Sequence, residues 1–290
     1  MNCRIGLVLG GGFAKGAYQF GVLQSLLRYI SPDDIAMISA SSIVALNGYA
    51  LSADKMRVAE NMWRTMDYHN LFHFTRQAWF HHAFDEIVQS ICHPEDVLSI
   101  PLTITLCRFS RMDELYLQLN GAYQNYWKKA LRATIAFPIV SAKPIRLFRK
   151  YYLDGGFLDN IPIAPVIQSQ EVNTTLVLHC DPKYLPIEKA FSNDKLFLDI
   201  DVTPVDVRLR DSFVMQSEQI NRMLDIGIEY GERLGQTVFG SLREDSFAEL
   251  RHKMSDWTKS EYPIRKKKQA LDTIGTTINQ LYCSFGLDNQ

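Results

Sequence analysis

The chain has 290 residues, of which 47% are hydrophobic and 22% are charged, and its formal net charge is −1. This composition is typical of a globular protein and excludes disorder as the dominant state. Because acidic and basic residues nearly balance, no overall positive field attracts nucleic acid, and we expect none among the partners.

The cysteines and the apolar segments indicate the cellular compartment. Five cysteines are scattered along the chain without a C-x-x-C pair: Cys3, Cys92, Cys107, Cys180 and Cys283. This distribution argues against a disulfide framework and a zinc ribbon and favours a reducing compartment. No stretch matches a secretory signal or the roughly 20 apolar residues of a membrane helix. We expect a cytoplasmic protein, with any membrane contact being peripheral.

The first 50 residues alternate between strand and helix patterns. Residues 5–9 form a continuous apolar run, typical of a strand buried on both faces, and apolar residues at helical spacing follow between positions 20 and 30. A second strand is predicted over 35–39 and a buried helix over 43–51. This alternation predicts a parallel sheet with helical crossovers.

The rest of the chain continues the mixed pattern. We predict an exposed helix over 54–67, an antiparallel hairpin of strands 102–107 and 114–119, a helix over 124–134, strands over 151–153, 175–179 and 196–201, and a long helix over 211–234. The simplest architecture is one α/β domain over residues 4–235, followed by a helical C-terminal extension over 236–290.

A glycine-rich turn lies between the first strand and the first helix. Residues 10–16 read G-G-G-F-A-K-G. Backbone N–H groups in such a turn, at a helix N-terminus, bind an anion, either a phosphate or a transient oxyanion. A P-loop requires Gly-Lys-Ser/Thr, but here Gly16 follows Lys15; a dinucleotide fingerprint requires glycine at position 15. Both nucleotide-binding interpretations therefore fail on spacing.

A pair of serines lies where the second strand meets the buried helix. Residues 40–44 read A-S-S-I-V, at the place where a nucleophile elbow presents a serine hydroxyl above the sheet. The usual pattern is G-x-S-x-G, and a serine before a helix also serves as an N-cap. Both interpretations remain open from this segment alone.

An aspartate at the end of a later strand completes the set. Asp154 precedes two glycines, which by itself indicates a turn. Carboxyl ends of parallel strands meet at one edge of a sheet. An anion-binding turn, a serine and an aspartate at that edge would supply an oxyanion hole, a nucleophile and a base.

With these motifs in this order, the sequence resembles the patatin-like phospholipase family, bacterial lipid acyl hydrolases in particular. The resemblance rests on residues 7–23, residues 38–47, and residues 133–138 together with 152–162, which contain D-N-x-P. It covers roughly residues 4–235. It implies a patatin-like three-layer α/β fold, in which helices flank a central, mostly parallel sheet.

The resemblance also implies a role for each motif. Ser42 would be the nucleophile and Asp154 its side-chain partner, while backbone N–H groups of Gly11, Gly12 and Phe13 would form the oxyanion hole. Supporting positions are Gly10, Lys15, Gly16, Gly155 and Gly156. The implied reaction is acyl transfer from an acyl lipid or phospholipid through an acyl-enzyme, without metal or organic cofactor. The alternative hypothesis is a weakly active or inactive scaffold that binds lipid or a protein partner.

Three positions depart from the family pattern by replacing glycine: Phe13, Ala40 and Val44. A positive φ at residue 13 would cost a bulky residue about 1 to 2 kcal/mol, whereas a negative φ would leave the ring to line the acyl site. Val44 places a β-branched side chain where helix and strand approach closely, so the elbow forms only if its neighbours leave room.

Two further segments each allow two interpretations. Residues 68–84 are rich in aromatic residues and contain four histidines. They form either a cap or lipid-contacting patch, or part of a peripheral core, and their spacing predicts no zinc site. The basic run 265–268 either contacts anionic headgroups or is a solvated helix face.

Overall fold

The computed structural model describes residues 3–67, 77–119, 121–138, 143–181, 195–203, 216–242 and 244–261, with backbone only for 77–82 and 121–123. The strands are β1 Ile5–Leu9, β2 Ile35–Ser41, β3 Leu102–Arg108, β4 Asp113–Leu119, β5 Ile145–Leu147, β6 Lys150–Asp154, β7 Thr174–His179 and β8 Leu196–Asp201. The helices are α1 Lys15–Leu26, α2 Ala45–Ser52, α3 Met56–Thr65, α4 Gln77–Ile91, α5 Trp127–Thr134, α6 Ala164–Ile167 and α7 Ser217–Leu234, followed by α8 over 247–261.

These strands form one sheet in the order β5-β6-β3-β2-β1-β7-β8, with β4 paired to β3. Strands β3, β2, β1, β7 and β8 run parallel, while β4, β5 and β6 pair antiparallel. The prediction of an α/β fold with a mostly parallel sheet is confirmed. The predicted hairpin is β3–β4, whose strands pair along their whole length.

Both faces of the sheet are covered, as β1 shows. All five of its residues are buried. Leu7 and Leu9 belong to a large hydrophobic cluster that includes residues of α1, α2, α5 and α7, whereas Val8 belongs to a smaller cluster with Val166 of α6. Because successive strand side chains point to opposite faces, the two clusters lie on opposite sides of the sheet.

Helix α1 is more buried than its spacing predicts, because α7 packs against its outer side. A Cβ atom on Gly227 would overlap the carbonyl oxygen of Tyr18, and one on Gly21 would overlap that of Leu224. These glycines let the two helix backbones approach closely. Apolar periodicity within α1 predicts one buried face and contains no information about this second contact.

Two local features differ from the sequence predictions. The exposed helix predicted over 54–67 is α3, which is exposed on one side and buries Ala59, Met62 and Trp63 on the other. Strand β5 was not predicted, because three residues are too few to show an alternating pattern. The long predicted helix is α7, Ser217–Leu234, and residues 211–215 lie outside the described part of the chain.

The described part of the C-terminal region packs on α7. A π-helical turn, Gly235–Phe239, continues α7, and in α8 the ring of Trp257 meets that of Tyr230 edge-on at 5.5 Å. Several apolar residues of this C-terminal region belong to the large hydrophobic cluster. The basic run 265–268 lies outside the described residues, and the domain division near residue 235 stays a prediction. No described helix has both the length and the apolar character needed to cross a membrane.

Candidate active site

Ser42 occupies a strained turn directly after β2. Its φ is 60°, and residues Ser42–Val44 form a short 3-10 turn that leads into α2. A left-handed conformation at a non-glycine residue costs about 1 to 2 kcal/mol. The turn is held by Thr134, whose Oγ1 accepts from the Ser42 N–H at 3.2 Å and donates to the carbonyl of Thr105 at 2.8 Å.

The hydroxyl of Ser42 points to a carboxylate and caps no helix. It donates to Oδ2 of Asp154 at 2.6 Å, and the helical turn that follows has no side-chain cap. The N-cap interpretation is therefore wrong. The structure brings together two residues that the sequence separates by 112 positions.

The two strand ends meet because β2 and β6 share one edge of β3. Strand β4 pairs with β3 along its full length, so the other edge is left for both. Ser41 at the end of β2 pairs with Thr105, and Asp154 at the end of β6 pairs with Leu106. Since Thr105 and Leu106 are consecutive, the two strands end against each other, and Ser42 meets Asp154.

Asp154 is buried, with 1% of its surface exposed. Burial raises its pKa to about 7, although hydrogen bonds from Ser42 and from the Gly156 N–H, at 2.8 Å, favour the charged form. Of the apolar residues that flank it in the chain, Tyr152 and Leu153 are buried, whereas Tyr151 and Phe157 are exposed. A carboxyl that titrates near neutral pH is a suitable proton acceptor for a serine hydroxyl.

The glycine-rich turn lies beside Ser42. A Cβ atom on Gly11 would be 3.1 Å from Cβ of Ser42 and would overlap the Asn160 side chain, so only glycine fits here. Its N–H donates to the Asn160 carbonyl at 2.9 Å, while Gly10 donates to Leu178. Among the described residues, no acceptor takes the N–H of Gly12.

Asn160 and Gln19 hold this turn, and neither was a sequence candidate. The Asn160 side chain donates to the Gly11 carbonyl at 3.1 Å. The buried Gln19 amide bridges the carbonyls of Gly10 and Leu178. Asn160 lies in the D-N-x-P stretch that carried part of the resemblance, so a signal for it was present, whereas Gln19 looks like one more residue of α1.

The remaining support positions link the turn to its surroundings. Lys15 Nζ donates to the carbonyl of Cys180 at 3.1 Å, which ties the start of α1 to the end of β7. A Cβ atom on Gly16 would be 3.2 Å from Cγ1 of Val44 and 3.0 Å from the Trp63 ring. Gly16 therefore leaves the room that Val44 requires. Gly155 packs against the backbone of Thr105.

Phe13 has a φ of 49°, so of the two alternatives for this residue the structure has the strained one with a positive φ. Its ring meets Phe137 edge-on at 4.7 Å. Segment 134–137 thereby touches the site three times: Thr134 contacts Ser42, the Ala136 carbonyl accepts from the Asp154 N–H at 3.1 Å, and Phe137 contacts Phe13. One segment positions all three parts of the site.

The aromatic segment 68–84 lies mostly outside the described side chains. Of its residues, Ala83 and Phe84 are described and buried, which accords with core packing at that end. In the described part of the chain, no group of three His, Cys, Asp or Glu side chains could hold a metal ion.

Fold and site together define an α/β protein with a serine and a buried aspartate at the carboxyl edge of its sheet. A family model described as patatin-like phospholipase matches residues 7–167. The chain belongs to the patatin-like phospholipase family.

Individual relatives are distant. Two proteins named lysophospholipase NTE1, from Candida albicans and Scheffersomyces stipitis, are 25% and 26% identical over 186 and 188 residues. Each alignment spans 56% of this chain but 12% and 11% of those proteins, so the chain corresponds to a small part of either. The crystal structure of VipD from Legionella pneumophila aligns over 98% of this chain and 77% of its own, with 12% identity and a TM-score of 0.46.

The strain at Phe13 predicts an unusual order of stability between two variants. Phe13→Gly and Phe13→Ala both lose the Phe137 contact, but only glycine accepts a φ of 49° without strain. We expect Phe13→Gly to be more stable than Phe13→Ala by about 1 kcal/mol in urea unfolding. The opposite order, typical of a residue with negative φ, would contradict the conformation.

The raised pKa of Asp154 predicts a pH-dependent difference in stability between the wild type and Asp154→Asn. The unfolded carboxyl loses its proton near pH 3.8 and the folded one near pH 7, so wild-type stability from this group is full below 3.8 and is lost as pH rises to 7. Asparagine has no such loss. Between pH 5 and 7 the stability of the variant relative to wild type should rise by about 2 kcal/mol, and the difference should level off above about pH 8. A constant difference in unfolding free energy would contradict the pKa shift.

Proposed function

We propose that the protein is a serine-dependent lipid acyl hydrolase that uses Ser42 and Asp154 as a catalytic dyad. The observation that carries this proposal is the 2.6 Å hydrogen bond from Ser42 Oγ to the buried Asp154 carboxylate. A nucleophile in contact with its base is the arrangement that acyl transfer through a covalent intermediate requires.

The reaction begins when Ser42 Oγ attacks the ester carbonyl carbon and its proton passes to Asp154 Oδ2. The carbonyl oxygen becomes an oxyanion, which we assign to the N–H groups of Gly12 and Phe13. The ester C–O bond then breaks, and the proton on Asp154 passes to the departing alcohol. Asp154 then takes a proton from water as the water oxygen attacks the acyl carbon. The bond between that carbon and Ser42 Oγ breaks, the acid leaves, and the proton on Asp154 returns to Ser42 Oγ.

Gly11 has a different part in this proposal from Gly12. Its N–H donates to the Asn160 carbonyl, so the role of Gly11 is to let the turn pass close to Ser42. Asn160 holds the turn by bonding to both the N–H and the carbonyl of Gly11. Held donors need no reorganisation when charge develops, which is how an oxyanion hole lowers a barrier.

The substrate class comes from the family and its relatives. Membership of the patatin-like phospholipase family and similarity to proteins named lysophospholipase support an acyl lipid, such as a phospholipid or lysophospholipid, as substrate. We further propose that residues 4–235 carry the catalytic machinery, since the dyad, the glycine-rich turn and their supporting residues all lie within that range.

Covalent labelling tests the nucleophile. A fluorophosphonate probe should label the wild type and Ser41→Ala, and should fail to label Ser42→Ala. Ser41 is a matched control, because its neighbouring hydroxyl is buried and has no hydrogen-bond partner among the described residues. Hydrolysis of p-nitrophenyl butyrate should follow the same order, with a loss of at least about 1,000-fold in Ser42→Ala. If Ser42→Ala were labelled as strongly as the wild type, the nucleophile would lie elsewhere. If a folded wild type showed neither labelling nor turnover, the hypothesis of an inactive scaffold would be favoured.

The pH dependence of turnover tests the base. Because Asp154 accepts the serine proton only when it is ionised, kcat/KM for p-nitrophenyl butyrate should fall about tenfold per pH unit below about pH 7 and level off above it. Circular dichroism at each pH controls for unfolding. A profile that stays flat from pH 5 to 8 would show that Asp154 is not the base.

A further inference from the structure

Two hairpin turns lie side by side at the same edge of the sheet as the candidate active site. The β3–β4 turn spans residues 109–112, and the β5–β6 turn spans residues 148–149. The Phe109 N–H donates to the Tyr151 carbonyl at 2.9 Å, which extends the pairing of β3 with β6 up to the turns. Both turns therefore extend in the direction in which β3 ends.

The turns extend past the dyad. Asp154 pairs with Leu106, and Phe109 is three residues further along the same strand direction. At about 3.3 Å per residue, the turns project about 10 Å beyond the level of Ser42 and Asp154. Among the described residues of β3 and β6, those at the turns therefore lie farther out along the strand direction than the dyad.

Three large apolar side chains at the turns are exposed to solvent. Phe109 is 50% exposed, Met112 48% and Tyr151 52%. Phe109 and Tyr151 are cross-strand neighbours, and Arg146 pairs with Tyr151. The side chains of Phe109, Tyr151 and Arg146 therefore lie on the same face of the sheet. The next residue, Tyr152, points to the other face and is buried.

Basic side chains surround these apolar residues. Arg111, Arg146, Arg149 and Lys150 are exposed, and in the described part of the chain none of them lies within 4.0 Å of a carboxylate. Arg108, by contrast, is paired with Asp113 at 3.3 Å. Since the whole chain carries a net charge of −1, this positive charge is local. We call this set the tip surface: Phe109, Arg111, Met112, Arg146, Arg149, Lys150 and Tyr151.

We propose that the tip surface docks the protein on an anionic phospholipid bilayer, with its three apolar side chains among the headgroups and its four basic side chains against lipid phosphates. Aromatic side chains favour the membrane interface, and each basic residue near an anionic leaflet contributes about 1 kcal/mol. The choice of a lipid surface over another acidic partner rests on the proposed function. Docking in this orientation turns the edge that holds Ser42 towards the bilayer.

The test is vesicle sedimentation with the full chain carrying Ser42→Ala, so that lipid is not consumed. Vesicles of phosphatidylcholine with about 30% phosphatidylserine should sediment this protein, and adding Arg146→Ala, Arg149→Ala and Lys150→Ala should weaken binding at least about tenfold. A matched triple, Arg57→Ala, Lys128→Ala and Arg222→Ala, removes three exposed basic residues on other elements and should bind as before.

Insertion of the apolar residues is measured separately. Phe109→Trp should add a fluorescence component that shifts to the blue with phosphatidylserine vesicles and is quenched by brominated lipid. Thermal unfolding of each variant shows whether it is folded.

The outcomes separate docking from catalysis. Equal binding by the two triples, an unshifted Phe109→Trp signal, or no binding to anionic vesicles at all would overturn the docking proposal. Hydrolysis of p-nitrophenyl butyrate, a soluble monomeric ester, should be unchanged by the tip triple in a chain with intact Ser42. Vesicle binding through the tip surface without ester hydrolysis would support docking and count against the catalytic proposal alone.

Discussion

The hydrogen bond between Ser42 and Asp154 depends on the way in which β2 and β6 pair with the same edge of β3. With β4 on the opposite edge, β2 and β6 approach from opposite directions and stop at Thr105 and Leu106. A shift of either strand by one residue would turn its side chains to the other face of the sheet. The separation of the two catalytic candidates is therefore set by sheet register, which the buried faces of the strands specify strongly.

Burial alone does not decide the charge of a carboxyl in this protein, as Asp96 and Asp154 show. Burial would raise the pKa of Asp96, but Lys55 at 2.5 Å, Tyr49 and the His93 N–H bond to its charged form, and its pKa is lowered. Asp154 has two hydrogen bonds and, in the described part of the chain, no cation in contact, so burial dominates. Because no described lysine or arginine contacts its carboxylate, the pKa of Asp154 is raised, which suits the role of base proposed for it.

The sequence predicted those features that short patterns encode. The apolar runs of β1 and β8, the β3–β4 hairpin and the three motifs all depend on residues close in the chain. The pairing of both β2 and β6 with one edge of β3 could not be predicted, because it depends on the register between strands far apart in the chain. Contacts such as Gly227 on Tyr18 likewise have no local signature.

Val44 illustrates how a departure from a family pattern is misjudged when positions are considered one at a time. A valine in place of glycine implied crowding, but the crowding is relieved by Gly16, whose missing side chain leaves space beside Val44 and Trp63. Phe13 is different, because it keeps a positive φ and the backbone strain that comes with it. Its contact with Phe137 offsets part of that strain and joins the glycine-rich turn to the segment that also holds Ser42 and Asp154.

Strain of this kind is concentrated at one edge of the molecule. The described residues include six non-glycine positions with positive φ, and only Asp54 lies away from the carboxyl edge of the sheet: Phe13, Ser42, Asp54, Met112, Phe148 and Arg149. Such conformations persist where the surrounding structure determines them. Buried parallel strands support the turns at Phe13 and Ser42, and the antiparallel hairpins β3–β4 and β5–β6 support those at Met112, Phe148 and Arg149. This edge can therefore hold a serine in a tight elbow and present large side chains at turns where glycine or asparagine would be easier to accommodate. The same rigid sheet thus supports both the proposed catalytic site and the surface proposed to bring it to lipid.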